Sequence, residues 1–265
     1  MLLHNVFTKT IRDLRWPTFW VALGMGAMTG YFAVLFPTYS KIVDLNSILE
    51  KMGPAAKLMG DIGDVSTLVG FLHIELFSMI LPALIVTYAA GMASGFTAGE
   101  ESRGTIDVLL SYPVSRSRLI LEKSLAVVLG SVLAAVVVWI LGIGGAAASA
   151  SVLPPDRLAE ALFMLVLLGL AFGAVALAIS AATGNRAAAI GAAVGLMVVM
   201  YLVDALASIV DGLGAVRPLS LFHYYMGNDP LRNGISLTDA GVLAAVAVVF
   251  LILSVVIFER RDLAA

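Results

Sequence analysis

The sequence predicts an all-α polytopic membrane protein, a bundle of six transmembrane helices, from three observations. Hydrophobic residues make up 60% of the 265-residue chain and charged residues 13%, and the mean hydropathy is +1.00, more than a soluble domain of this size carries. Six stretches reach the roughly 20 mostly apolar residues that cross a hydrocarbon core: Trp16 to Phe36, Phe71 to Ala98, Leu119 to Ser149, Leu158 to Ala182, Ala187 to Val210 and Thr238 to Phe258. These stretches are continuous and rich in Ala and Leu. They lack the alternating polar positions of a lumen-facing strand, so helices are expected rather than barrel strands.

Along the chain, Met1 to Arg15 reads as an N-terminal interfacial helix rather than a cleavable signal peptide. Leu2, Leu3, Val6, Phe7, Ile11 and Leu14 oppose His4, Lys9, Arg12 and Arg15, and Pro17 opens the first span. Trp16, Phe19 and Trp20 at one end of that span and Tyr31, Phe32, Phe36 and Tyr39 at the other read as interfacial anchors. In the loop that follows, Ile42, Leu45, Ile48, Leu49 and Met52 recur at helical spacing until Gly53-Pro54 interrupts them. Pro82 is expected to kink the second span. Gly91, Gly95 and Gly99, four residues apart, are expected to admit another backbone at its end.

The segment 99–118 stands out by its charge. Glu100, Glu101 and Arg103 precede a helix-compatible run from Thr105 to Leu110, which includes Asp107 and Leu109, and Tyr112-Pro113 stops it before Ser115-Arg116-Ser117-Arg118. The turn Gly184-Asn185-Arg186 joins the fourth and fifth spans. Segment 211–237, with Gly212, Gly214, Pro218, Phe222, Tyr224, Tyr225, Gly227, Pro230 and Gly234, is too broken to span and too apolar for a solvated loop. Two readings fit it: helices re-entering the outer leaflet as an extracellular gate, or a loop packed over the bundle. The polar segments are too short for a separate core, so 1–265 forms one membrane domain.

Charge distribution sets the expected orientation. With both termini cytoplasmic, the inner segments hold Lys9, Arg12, Arg15, Arg103, Arg116, Arg118, Lys123, Arg186, Arg260 and Arg261, ten of the sixteen basic residues. The location expected is the cytoplasmic membrane. The net charge of −2 gives no field for nucleic acid, and the absence of cysteine excludes disulfides and thiolate metal sites.

Ionisable groups inside spans cost about 2.5–3.5 kcal/mol on insertion scales and are read as functional by default. His73 and Glu75 lie near the outer end of the second span and Asp204 in the outer third of the fifth. They either line the outer half of a pathway together or sit at headgroup level, satisfied by water or a lysine partner. Glu75, Asp204, Phe222, Tyr224 and Tyr225 are the candidate pathway or gate residues. His4, His73 and His223 are scattered, so no metal site is assigned. An intramembrane hydrolase using Ser149, Ser151 or Ser180 with His73 has no nucleophile elbow behind it, and no catalytic residue is assigned. No Gly-x-x-x-x-Gly-Lys-Ser/Thr loop occurs, so this chain holds no ATP by the P-loop route.

The polar segment resembles that of the permease subunits of type-2 ABC exporters. The shared pattern is Glu100 four residues before Gly104-Thr105, then Leu109-Leu110-Ser111-Tyr112-Pro113-Val114-Ser115-Arg116, then Lys123 opening the next span. Glu101 does not fit the spacing, and Glu122 stands where that family usually has Gly. The resemblance implies six spans and a coupling helix over Glu101 to Pro113 that docks on a separate ATPase subunit. Glu100, Glu101, Arg103, Gly104, Thr105, Asp107, Leu109, Pro113 and Arg116 are its expected contact residues, and Asn185 and Arg186 form a second contact.

The implied partners are two copies of an ABC ATPase subunit, which bring the ATP and Mg, a second and identical permease copy, and the lipid bilayer. Gly169 with Gly173 and Gly191 with Gly195 could support helix packing. The implied job is export of a lipophilic or amphipathic substrate such as a drug, a peptide antibiotic or a lipid, along a pathway with an adaptable Met surface from Met25, Met28, Met79, Met92, Met164, Met197 and Met200. The alternatives are an ion or metalloprotein-maturation cargo, and a non-transport membrane scaffold.

Overall fold

The computed structural model describes residues 6–42, 51, 66–97, 115–207, 209–210 and 213–260, all of it helix, turn or irregular chain, with no strand among the described residues. Helix α1 covers Val6–Ile42. A broken span follows, made of α2 (Leu68–Leu72), a π-helical turn (His73–Phe77) and α3 (Ile80–Ser94). Next come α4 (Arg116–Ala148), α5 (Pro155–Thr183) and α6 (Arg186–Ala207). A 3-10 turn (Leu213–Leu219) leads into the short α7 (Leu221–Met226) and α8 (Pro230–Asn233), and α9 (Leu237–Arg260) completes the described chain. Helices α1, α4, α5, α6 and α9 are each long and apolar enough to cross a membrane, and the bent pair passes the same test when taken as one span, which makes up to six crossings among the described residues.

These sequences form helices because long apolar runs in hydrocarbon must satisfy their backbone groups internally. Their ends carry the usual devices. Ser115 caps α4 by accepting from the Arg118 amide at 3.3 Å. Pro155 begins α5, and Gly184 ends it in the left-handed conformation, φ 65°. Asn185 then caps α6, its Oδ1 accepting from the Ala188 amide at 3.0 Å.

Helix α5 is the axis of the bundle. Of its apolar window 72% is buried, against 22% for α6 and 17% for α9, and it packs on α3, α4, α6 and α9. Helix α1 lies outside this group against α4, the most extensive helix pair in the fold. Their contact is backbone to backbone: a methyl group added at Gly30 would lie 2.8 Å from the Leu141 carbonyl oxygen, and one at Gly145 would meet Gly30 itself. The outward faces remain apolar, with Leu121, Leu125, Leu133 and Ile140 on α4 and Val248, Val249 and Ile252 on α9 exposed. That pattern suits lipid and not water.

From Val6 onward, the expected surface helix is continuous with the first span. One helix of 37 residues results, about 55 Å at 1.5 Å per residue, longer than a hydrocarbon core of about 30 Å. Pro17 removes a single backbone bond, and Thr10 and Leu14 on the preceding turns are buried, Leu14 among Phe96, Leu119, Leu177 and Phe258. The apolar face of this segment is therefore used, at least in part, against the protein.

The second span bends by 43° between Leu68–Phe77 and Ile80–Ser94. Pro82 explains the position: with no amide hydrogen and a ring that crowds the carbonyl four residues back, it stops an α-helix from running through Ser78. The chain inserts a π-turn, closed by the Ser78 amide on the His73 carbonyl at 2.9 Å, and restarts at Ile80. The kink expected from Pro82 is thus present. The anticipated helix over Ile42 to Met52 lies largely outside the described residues.

The glycine pairs separate into two uses. Gly169 and Gly173 face Ile85 and Ala89 of α3, where added methyls would lie 2.9 Å and 3.0 Å from those side chains, whereas a methyl added at Gly191 or Gly195 would meet nothing within 4 Å outside its own helix among the described residues. Gly91 also has nothing within 4 Å, and an added methyl at Gly95 would meet only its own helix and the Arg186 guanidinium carbon at 3.8 Å. The close backbone approach expected at these two positions is absent, because a side chain from another span occupies the region.

Candidate functional site

At the end of the bundle where α1 begins and α9 ends, the C-terminus of α3 is held by groups from three other helices. A helix ends with carbonyls that lack intrahelical partners and with a partial negative charge. Arg186, the first residue of α6, donates from Nη2 to the Gly91 carbonyl at 3.0 Å, and its Nε is buried with no hydrogen-bond partner among the described residues. Lys123, two turns into α4 and 3% exposed, donates from Nζ to the Phe96 carbonyl at 3.3 Å, with the ammonium 5.6 Å from the Phe96 ring centre. From α5, Ser180 donates to the Ser94 carbonyl at 2.9 Å and shares a 2.7 Å hydroxyl bond with Thr97. Ser94, Thr97 and Ser180 are fully buried. Two cations and the Ser180 hydroxyl thus fix the last turn of α3 and the turn 95–97 that follows it.

The opposite end is organised around the break in the same span. Its carbonyls are left over by the break, and Tyr225 of α7 donates its hydroxyl to one of them, Phe77 O, at 3.1 Å. His73, 2% exposed, bonds through Nδ1 to Asp229 Oδ1 at 3.1 Å, and Arg232 Nε lies 3.4 Å from the other carboxylate oxygen. Asp229 precedes α8 in the left-handed region, φ 45°. Phe222 is buried edge-on between Tyr201 and Tyr225, with ring centres 5.4 and 6.0 Å away. Tyr224 bonds only within its own segment, to the Pro218 carbonyl at 3.0 Å. Asp204 pairs with Arg217 at 2.9 Å, and Ser220 donates to the Met200 carbonyl at 2.7 Å.

A match to the family model of ABC-2 family transporter proteins runs over residues 4–263, nearly the whole chain. The chain belongs to the ABC-2 transporter family. Among curated proteins, this ABC-2 chain is similar to a probable ABC transporter permease protein, NosY, of Pseudomonas aeruginosa, 31% identical over 179 residues. The alignment covers 62% of this chain and 61% of that relative, so the chain spans less than two thirds of the relative's length. The family resemblance carried by Glu100 to Lys123 is borne out, and the chain is an ABC-2 type permease.

In this ABC-2 permease, Glu100, Glu101, Arg103, Gly104, Thr105, Asp107, Leu109 and Pro113 lie outside the described residues, and of Arg116 only the backbone is described, as the first residue of α4. Asn185 is exposed in its capping role. Arg186 turns inward, onto α3. His73, Glu75 and Asp204 do not share a partner: His73 bonds Asp229, Asp204 bonds Arg217, and Glu75 has no hydrogen bond or ion pair among the described residues. No group of three or more potential metal ligands occurs among the described residues. Ser180 is occupied by a carbonyl and a threonine, at the opposite end from His73.

Sequence reasoning did not assign Lys123, Asp229 or Arg217 as site residues. Lys123 carried two signals, its place in the family pattern and its position as a cation inside the mostly apolar stretch that begins at Leu119. Asp229 carried none, since Asn228-Asp229-Pro230 reads as ordinary turn chemistry. Of the methionines expected to offer an adaptable pathway surface, Met25, Met164 and Met197 are 1% exposed and serve as core packing.

Proposed function

We propose that this ABC-2 permease is the membrane subunit of an ATP-driven exporter, acting as two copies with two copies of a separate ATPase subunit in the cytoplasmic membrane, the end carrying the termini facing the cytoplasm. Residues 99–118 couple the two kinds of subunit, and the turn at Asn185-Arg186 is the second contact. The observation that carries this reading is the convergence of Lys123 and Arg186 on the last carbonyls of α3. A segment that transmits closure of an ATPase must be joined to the spans through a stiff root, and α3, braced from α4, α5 and α6, is such a root immediately before the charged segment.

A second identical copy is supported by α6, whose Gly191 and Gly195 face open space beside exposed Leu196, Val199 and Leu202. A lipophilic or amphipathic cargo is supported by an apolar cavity of about 230 Å³ between α3, α4, α5 and α9, lined by Ala93, Val127, Leu170, Gly173 and Ala247. The segment at the far end, with Phe222, Tyr224 and Tyr225, is the outer gate, and Glu75 and Asp204 belong to its polar surroundings.

The test is co-expression of the tagged full chain with a candidate ABC ATPase subunit, followed by co-purification and an ATPase assay on the native complex and on Glu100→Ala and Arg103→Ala. The expected result is a stable complex in the native case and weakened assembly or uncoupled hydrolysis in the variants. Absence of any ATPase association would overturn the transporter reading in favour of a scaffold.

A further inference from the structure

We propose that His73 and Asp229 are the positioning pair that keeps the far end of the bundle closed, latching the segment Leu221–Asn233 onto the broken second span. The inference rests on the reading of that segment as a gate and adds to it the residues that hold the gate shut.

Beside its packing on α5, α6 and α9, the segment is seated by two buried polar contacts that come from one short piece of backbone. His73 opens the π-turn and Phe77 closes it. A π-turn has about one more residue per turn than the 3.6 of an α-helix, so residues four apart lie close to one face. On that face His73 meets Asp229 at 3.1 Å and the Phe77 carbonyl accepts from Tyr225 at 3.1 Å. The partners, Tyr225 in the last turn of α7 and Asp229 just before α8, flank the link between the two short helices, so the second span holds that link at two points four residues apart in its sequence. Both bonds are buried, where an unmade polar contact is costly and a made one is held firmly.

The position of the break gives the latch its role. Both contacts lie on the α2 side of the Ser78–Met79 break, and the 43° bend separates them from α3, whose other end is rooted by Lys123 and Arg186. A rigid attachment on each arm with a break between them is the arrangement of a hinge. Had the segment been seated on α3, movement of that helix would drag it directly. Seated on the π-turn, it stays closed while the break absorbs small motions, and it releases when the His73–Asp229 bond is strained. Asp229 is suited to a bond that must reform: its left-handed backbone and its second contact, to Arg232, hold the carboxylate in place whether or not His73 is bonded.

The chain has no cysteine, which makes a single introduced thiol a clean reporter. Leu231, buried at 1% exposure in α8, becomes the probe as Leu231→Cys, and Met197→Cys on α6 becomes the control. Labelling by a membrane-impermeant maleimide is measured on the full chain in nanodiscs. His73→Ala is expected to speed labelling at position 231 about tenfold, the scale of one lost hydrogen bond to a charged group, and to leave position 197 unchanged. His73→Asn, whose amide donates from nearly the same place as Nδ1, is expected to restore the native rate. Equal rates in the native chain and His73→Ala, failure of His73→Asn to rescue, or acceleration at both positions would overturn the latch. None of these arms contains an ATPase, so a failed co-purification and a failed latch are separate results.

Discussion

The two ends of the second span are held by opposite chemistry. Where α3 runs toward residue 98, the carbonyls of a helix terminus are gripped by a lysine and an arginine from two other helices, with one hydroxyl from a third. Where the π-turn faces the other end, contacts are fewer and are made by a histidine, a carboxylate and a tyrosine. Cations on a helix C-terminus add to the macrodipole and to the hydrogen bonds, and in a buried setting their loss leaves carbonyls bare. Single hydrogen bonds between side chains and a broken span carry less. One end of the span is built as an anchor and the other as a contact that can be undone.

The largest break in that comparison should come from Lys123→Glu. It places a buried anion against the Phe96 carbonyl, and a cost of about 3–5 kcal/mol is expected, the scale for an uncompensated buried charge. Thermal unfolding of the purified chain should show it as loss of a cooperative transition or failure to obtain folded protein. Arg186→Ala should cost less, about 1.5–3 kcal/mol for a charge-assisted bond, with Arg186→Lys recovering part of it because one donor still reaches the Gly91 carbonyl.

At the other end, Tyr225→Phe keeps the buried ring and removes only the bond to Phe77, so about 1 kcal/mol is expected. A drop in stability as large as that of Arg186→Ala would erase the distinction between the ends. The smallest effect belongs to Asp204→Asn. Its partner Arg217 is about one third exposed, 35%, and a solvent-screened pair contributes at most about 1 kcal/mol. A shift well beyond that, read by the same melting experiment, would mean that Asp204 supports the 3-10 turn and not merely one side chain.

What was legible beforehand follows from the range of the forces involved. Continuous apolar runs declare helices locally, and Pro82 declares its own kink, so the spans and the bend were open to sequence reasoning. The fate of Leu14 and Thr10 was not, because an amphipathic face looks the same whether it covers lipid or a neighbouring helix. Gly169-Gly173 and Gly191-Gly195 are indistinguishable as motifs, yet one pair is packed against α3 and the other is open. Arg186 was marked as a contact residue from its place in a turn, but the direction of its side chain depends on the Gly91 carbonyl near the end of α3, 95 residues earlier in sequence. Partnerships of that span, like His73 with Asp229, are properties of the assembled bundle.

The contact of Gly30 with Gly145 sets a limit on how this molecule can move. Two helices that touch through backbone atoms at this point, with the Leu141 and Val137 side chains against Gly26 one turn away, resist sliding past one another, so α1 and α4 are expected to act as a stator. Any working stroke must then be taken up by the remaining spans, and the Ser78–Met79 break is where the chain has already surrendered its stiffness. A bulky residue at Gly30 or Gly145 would loosen the frame against which the stroke is made while leaving every residue of the stroke itself intact.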